Sequence, residues 1–275
     1  METQLFQRFA ALAYQKAGIS IKPGKEALVA ARVAKRLRAL SMTDAESYLR
    51  YLEEDQSGEE LVRFLDVIST HFTSFFRERD HFELLESEIA GRVQAGQRRI
   101  RIWSAASSTG EEPYTIAMTA LGVKGLDGLD LKILATDIAA DTLRQAAEGC
   151  YSASRMEPVP PALRARWFTR KHDPADPQSE LWEAKPELKS RVAFRRLNLA
   201  EPPFPMQGPF DVVFCRNVLI YFDQPTRQRL ISAIERLLRP GGLFCIGHTE
   251  TLSGISSGFK MQRPSVFRVP EGVTS

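Results

Sequence analysis

Through residues 1 to 64 the apolar positions return every three or four residues, the period of helices packed on one face, and no stretch alternates as a strand would. Leu5, Phe6, Phe9, Leu12 and Ala13 mark a first helix that ends near Gly18, and a second runs from about Lys25 to Leu40. A third begins at Thr43 or Asp44, where Thr43 and Glu46 have the spacing of a capping box, and carries Tyr48, Leu49 and Leu52. A fourth follows Gly58 with Leu61, Val62, Leu65 and Ile68.

From Arg98 onward the period changes. Arg99 to Trp103 alternates polar and apolar residues with β-branched members, which predicts a strand. LKILATDI predicts a second strand with Asp137 at its carboxyl end, followed by a helix carrying Leu143 and Ala146. Arg191 to Leu197 reads as another strand with Asn198 and Leu199 at its tip. Phe210 to Cys215 is the near-continuous apolar run of a buried parallel strand. Arg227 to Leu238 reads as a helix, Pro240, Gly241 and Gly242 as a turn into LFCIG, and Ser265 to Val269 as a last edge strand. Residues 151 to 190 are richer in Pro and charge and too long for an ordinary crossover, so an insertion or surface excursion is expected there. Alternating strands and helices predict an open, mostly parallel α/β sheet behind a small all-helical domain.

The most informative stretch is residues 98 to 118, where a strand, seven small residues (Ser104 to Gly110) and a helix N-terminus follow one another. Pro113 suits a first helical turn, and Glu111 and Glu112 suit the positive end of its dipole. Gly110 is the only glycine between Trp103 and Tyr114, so the dinucleotide fingerprint is absent and a nicotinamide-dependent oxidoreductase is poorly supported. Two carboxylates at the mouth disfavour a pyrophosphate and favour a ligand with positive charge, such as the sulfonium and ammonium of S-adenosylmethionine. An ordinary turn with helix-capping glutamates explains those residues equally well. At the end of the next strand, Asp137 is placed where a carboxylate commonly takes a ribose diol.

Composition narrows the class. At 275 residues and 43% apolar content the chain can bury one large core or two modest ones. A net charge of +3 is too mild for wholesale nucleic-acid binding. No apolar run reaches the ~20 residues of a membrane span, so no membrane insertion is expected. Cys150, Cys215 and Cys245 lack paired spacing, which points to a reducing, cytoplasmic setting without disulfides, and Cys215 and Cys245 read as packing residues in apolar strands. Neither they nor His71, His81, His172 and His248 show metal-ligand spacing, and no metal is expected.

Charge is uneven on the second helix, where Lys25, Arg32, Lys35, Arg36 and Arg38 face one acid, Glu26. Lys25, Arg32 and Arg36 fall in one stripe without i,i+4 acids, either a solvated face or a surface for an acidic partner. In the linker STHFTSFFRERDHF, the phenylalanines Phe72, Phe75, Phe76 and Phe82 read as packing, and Thr73 and Arg77 would share a helix face toward a cleft.

LLRPGGLFCIG is the kind of string found in seven-stranded S-adenosylmethionine-dependent methyltransferases. STHFTSFFRE, RIWSAASSTGEEPY, ATDI, FCRNVLIYF and GHTE together closely resemble the chemotaxis receptor methyltransferase family, CheR, over nearly the whole chain. The resemblance implies a class I, Rossmann-like seven-stranded sheet with a helical N-terminal domain (1–70), a linker and first helix (71–97), and a methyltransferase domain (98–275) holding a small antiparallel β subdomain at about 170–195. It implies S-adenosylmethionine as methyl donor, S-adenosylhomocysteine as product, and glutamate carboxylates of chemoreceptors as substrate.

By motif position, Thr73, Arg77, Glu112 and Asp137 would contact the donor. Asn198 with Leu199, and Asn217 with Val218, would hold its adenine side. Arg77 and Tyr221 would stand near the transferred methyl. Taken singly, Arg77 reads as a helix-face ion pair with a neighbouring acid and Tyr221 as a buried aromatic with a satisfied hydroxyl; it is their place inside the family's strings, facing one cleft, that assigns them to the site. Glu111 and Glu250 are read as structural. The family pattern expects asparagine where this chain has His71. The basic helix, through Lys25, Arg32, Lys35, Arg36 and Arg38, would face glutamate-rich cytoplasmic helices of membrane chemoreceptors, and in some members the β subdomain grips a receptor tail peptide. The expected setting is a cytoplasmic monomer recruited to receptor arrays. Two rivals belong to other classes: a binding module that keeps the donor as a sensed ligand, and a nucleic-acid methyltransferase, which would carry N-P-P-Y or D-P-P-Y where this chain has CRNVLIYF.

Overall fold

The computed structural model describes residues 1–69, 72–125, 128–172 and 180–272. Four helices come first: α1 (Thr3–Ala17), α2 (Glu26–Leu40), α3 (Ala45–Glu54) and α4 (Glu59–Ile68). Their apolar stripes close on a core of its own, in which the rings of Phe9, Tyr48 and Phe64 meet at centroid distances between 5.6 and 6.4 Å. The N-cap of α3 is Asp44, whose carboxylate accepts the Ser47 N–H at 2.8 Å, so the Thr43/Glu46 box does not form.

After the linker, α5 (Asp80–Gln94) leads into β1 (Arg99–Ala105), α6 (Glu111–Gly122), β2 (Asp130–Asp137) and α7 (Ala140–Glu148). A small excursion follows: β3 (Cys150–Ser152), α8 (Pro161–Trp167), β4 (Phe168–His172), β5 (Glu180–Ala184) and α9 (Pro186–Lys189). The main sheet then resumes with β6 (Val192–Arg196), β7 (Phe210–Cys215), α10 (Gln224–Leu237), β8 (Leu238–Cys245), β9 (Lys260–Arg263) and β10 (Val266–Arg268).

The main sheet has the order β6-β2-β1-β7-β8-β10-β9, parallel from β6 through β8 and antiparallel at β10 and β9. Alternation along β1 separates two cores. Ile100 and Ile102 pack with Leu85 and Ile89 of α5 and Ile116 of α6, while Trp103 and Ala105 pack with Leu230 and Ile234 of α10. Because the chain runs outward from β1 to β2 and β6, then returns to β7 on the other side, the strand order reverses between β1 and β7. A crevice opens there above the carboxyl ends, the usual place for a ligand in such sheets.

Several expectations shift. The small sheet, order β3-β5-β4, lies between Cys150 and Ala184 and not at 170–195. Residues 192–196 instead pair in parallel with β2 and extend the main sheet, a choice of partner that local alternation does not encode. The last strand is covered by β9 and is not the edge. Pro240 to Gly242 sit inside β8, where the pairing of β7 jumps from Leu238 to Leu243, so the expected turn is a bulge in a strand. Thr73 to Arg77 are not helical: the segment turns tightly, with positive φ at Phe76 and Glu78. Phe75 and Phe82 are buried as expected, but Phe72 is 72% exposed.

Candidate active site

The turn after β1 is shaped by backbone that ordinary residues adopt at a cost. Ala106, Ser108 and Gly110 all have positive φ. At Gly110 a Cβ would come within 2.8 Å of the Tyr151 hydroxyl, so glycine is required both by φ and by space. The strained turn is tied to β2: the Ser107 N–H donates to the Thr136 carbonyl, and the Ser108 N–H donates to Oδ2 of Asp137 at 2.9 Å. Asp137 also accepts the Ala139 N–H at 3.0 Å, and these bonds orient a carboxylate that is only 7% exposed.

Above the strand ends lies a cleft enclosing about 910 Å³, part of it open to solvent. Each position expected near the donor or the methyl lines it: Thr73, Arg77, Glu112, Asp137, Asn198, Leu199, Asn217, Val218 and Tyr221. Its outer wall comes from the helical domain, through Ala17, Ile19 and Ser69, which the sequence reading missed because a surface made by two domains has no local period. Asn198 helps hold that wall in place, its amide donating to the Lys16 carbonyl at 3.0 Å while its oxygen accepts the Ala200 N–H. The side chain of Asn198 is thereby engaged between domains, so it reaches the cleft as a wall and not as an uncommitted amide.

Arg77 lies across the cleft mouth with its guanidinium 5.3 Å from the Phe72 ring and donates to the Phe72 carbonyl at 2.7 Å. Glu112 accepts from the Ser104 hydroxyl at 2.7 Å and pairs with Arg216 at 3.3 Å. Burial pushes the Glu112 carboxyl above the usual carboxylate range, with Arg216 opposing the shift. Arg216, 5% exposed, was not singled out from the sequence; its acidic partners are Glu78 and Glu112, more than a hundred residues away. Glu111 and Glu250 are structural: Glu111 is buried against Thr109 and Arg155, and Glu250 accepts the Asn217 and Gly247 N–H groups. His71 lies outside the described residues.

The site suits a cationic adenosyl ligand. Its floor presents two carboxylates, its sides are apolar at Ala106, Leu199 and Val218, and the buried Ser108 hydroxyl has no hydrogen-bond partner within the protein. Folding also brings together Glu78, His81 and His248, with ligand atoms within 4.8 Å of one another. These groups are already committed within the protein: Glu78 accepts from Arg216 at Oε2 and from the Asn217 amide at Oε1, and His248 Nε2 lies 2.9 Å from Asp80 Oδ1.

A second groove, about 890 Å³, adjoins the first and shares Ile19 and Tyr221 with it. Leu28, Ile21, Ile68 and Ile220 supply apolar surface, and Lys22 and Lys25 supply charge. The basic stripe beside it is not free as expected. Arg36 makes a two-pronged bond to buried Glu60, and Arg32 donates to the carbonyls of Val67, Ile68 and Ser69 at the end of α4. An acid distant in sequence pairs with Arg36 and distant carbonyls engage Arg32, which a search for i,i+4 partners does not detect. Lys25, Lys35 and Arg38 remain exposed. Cys215 and Cys245 are buried and unpaired, Cys150 is exposed and unpaired, and no helix among the described residues is long and apolar enough to cross a membrane.

Residues 4–69 match the family described as CheR methyltransferase, all-alpha domain, and residues 71–267 match CheR methyltransferase, SAM binding domain. Chemotaxis protein methyltransferase 2 of Pseudomonas aeruginosa is 41% identical over 245 residues, 89% of this chain and 85% of that protein. The chemotaxis protein methyltransferase of Escherichia coli is 38% identical over 262 residues, 95% of this chain and 89% of that one, and that of Borreliella burgdorferi 35% over 254 residues, 90% and 88%. With both domain matches spanning the chain and these relatives covered along most of their length, the chain belongs to the CheR family of chemotaxis methyltransferases.

Proposed function

We propose that this protein transfers the methyl group of S-adenosylmethionine to side-chain carboxylates of glutamates on chemoreceptors, leaving a methyl ester and S-adenosylhomocysteine. The observation that carries the reading is the junction of the cleft with the basic-edged groove at Tyr221. A cationic donor has its carboxylate floor on one side of that residue, and an acidic helix has an apolar seat with lysines on the other.

When bound, the donor supplies an electrophilic methyl on a sulfonium. The chain does the rest by placement. Glu112 meets positive charge, Asp137 takes the ribose diol, and Leu199 and Val218 flank the adenine. A glutamate side chain has a pKa of about 4.3 and is already ionised at neutral pH, so no general base is required. Holding the attacking oxygen in line with the methyl is worth roughly 7 kcal/mol or more. Arg77 fixes that carboxylate by a charge-assisted hydrogen bond, and the Tyr221 hydroxyl orients the reacting groups.

The receptor helix lays apolar residues on Leu28 and Ile220 and its glutamates beside Lys22 and Lys25, with Lys35 and Arg38 adding to the steering field. The edge strand β4, whose residues 169–172 are exposed, is the place for an extended receptor tail in the manner of strand addition. The protein works in the cytoplasm, as a monomer that visits receptor arrays. The test is methyl transfer from labelled S-adenosylmethionine to receptor-bearing membranes, with the label released as methanol by base. Binding of the donor with no base-labile product would leave a sensing module in place of an enzyme.

A further inference from the structure

The charged groups beneath the cleft form a ladder of alternating sign. Arg216 emerges from the end of β7, with its side chain 2% exposed and its guanidinium 5.3 Å from the Phe82 ring. Toward the linker it meets Glu78 Oε2 from two nitrogens, at 3.1 and 3.3 Å. Toward α6 its other amino group lies 3.3 Å from Glu112 Oε2. The nitrogen on the Glu78 side also donates to the backbone carbonyl of Arg77. Glu78 itself stands in left-handed backbone, φ 56°, and accepts from the Asn217 amide at 3.4 Å. One guanidinium therefore touches the carboxylate assigned to the donor, the backbone of the arginine assigned to the substrate, and the strained turn that carries it.

We propose that Arg216 is a positioning residue of the transfer site: bridging Glu78 and Glu112, it sets the negative charge offered to the donor's ammonium and holds the Arg77 backbone, so that donor binding and substrate orientation depend on one side chain. This rests on the methyl-transfer reading above. The order of charge supports it. From Glu78 through Arg216 to Glu112 the signs run negative, positive, negative, and an ammonium at Glu112 continues the alternation. A planar guanidinium can contact both acids and a carbonyl at once, which a lysine ammonium at the same place cannot match in geometry.

The groups facing Glu112 are Arg77 and Glu78 from the linker turn, Arg216 after β7, the thiols of Cys215 on β7 and Cys245 on β8, and the Ser104 hydroxyl on β1. Burial drives this carboxyl toward its neutral form; Arg216, Ser104 and Arg77 counter that, and Glu78 adds to it. Opposite variants therefore have opposite consequences. Removing Arg216 makes Glu112 easier to protonate, and removing Glu78 makes it harder.

The experiment is calorimetric binding of S-adenosylhomocysteine, which keeps the ammonium, across the acidic pH range, together with turnover at saturating donor. Arg216→Gln should move the acidic loss of affinity upward by roughly one to three pH units, and Glu78→Gln should move it downward. Glu112→Gln should abolish that limb while leaving any limb due to Asp137. Arg216→Lys should keep affinity and limb near those of the unaltered protein while lowering kcat, because charge survives and the grip on the Arg77 carbonyl does not. If Arg216→Gln does not fold, the Glu78→Gln shift and the kcat loss in Arg216→Lys decide the matter. Limbs that stay fixed or move in the same direction, or an Arg216→Lys variant with unaltered kcat, overturn the proposal. Absence of S-adenosylhomocysteine binding by the unaltered protein would instead overturn the methyltransferase reading beneath it.

Discussion

Arg36 and Glu60 are locked together by two 2.8 Å hydrogen bonds inside the helical domain, with the Tyr48 hydroxyl donating to the same carboxylate at 2.8 Å. Glu60 is 3% exposed and the Arg36 side chain 15%, so this pair joins α2 to α4 instead of greeting a partner. Removing one member leaves the other charge buried. Arg36→Ala is expected to cost about 3 kcal/mol or more, read as a lower midpoint in urea unfolding. A variant within 0.5 kcal/mol of the parent would show that the bond contributes little.

Tyr221 and Asp137 should separate chemistry from binding. Tyr221→Phe keeps the ring that walls both cavities and removes only the hydroxyl, so turnover should fall by up to about 10²-fold with donor affinity nearly unchanged. Asp137→Asn keeps shape but loses charge, and affinity for S-adenosylhomocysteine should drop by roughly ten- to a hundredfold, with turnover at saturation largely kept. Calorimetry and saturation kinetics on both variants check this, and a swap of the two effects would contradict the assignments.

Acid should weaken the fold in a window set by His81. Its ring is fully buried, Nε2 lies 2.8 Å from the Ser265 hydroxyl, and Nδ1 lacks a hydrogen-bond partner. Burial, then the Arg216 charge, pushes its pKa down to about 4; His248 adds to that, and Asp80 and Glu78 pull the other way. The unfolded chain therefore takes up the proton first, and stability falls as pH drops from about 6.5 through about 4. The loss is on the order of a few kcal/mol. His81→Asn should flatten this segment of the stability curve, leaving the fall at lower pH that comes from Glu78 and Glu88, whose carboxyls are held below the usual range. An unchanged slope between pH 4 and 6.5 in that variant would assign the effect elsewhere.

Reversing exposed charge near the second groove should weaken receptor methylation without touching the donor. Lys25→Glu combined with Lys35→Glu is expected to slow methylation of receptor-bearing membranes by about tenfold at low salt, with the difference shrinking as salt rises. S-adenosylhomocysteine affinity should not change. A salt-independent loss, or none, would remove these lysines from the docking surface.

Local pattern carried much of this molecule. Periods of 3.6 and 2 placed the four N-terminal helices and β1, because burial of one face constrains which positions are apolar, and an unbroken apolar run placed β7, which is buried on both faces. Asp137 was legible as a strand-end carboxylate, and Glu112 as an acid at a helix mouth, since both depend on position within one strand-turn-helix unit. Thr73 and Arg77 reached the cleft by a route the spacing did not foretell: a turn with positive φ at Phe76 and Glu78 in place of a helix.

What the sequence determined alone is therefore the helical or strand character of its most regular segments and the residues that the ends of β1 and β2 present, properties set by neighbours within a few positions. Tertiary structure decided the partners. It paired β6 with β2, closed the cleft with Ile19 from the helical domain, spent Arg32 and Arg36 on α4, and set Arg216 between Glu78 and Glu112. Those choices depend on which distant surfaces exclude water from one another and which buried charges then require a counter-charge, and neither is written in the spacing of residues along the chain.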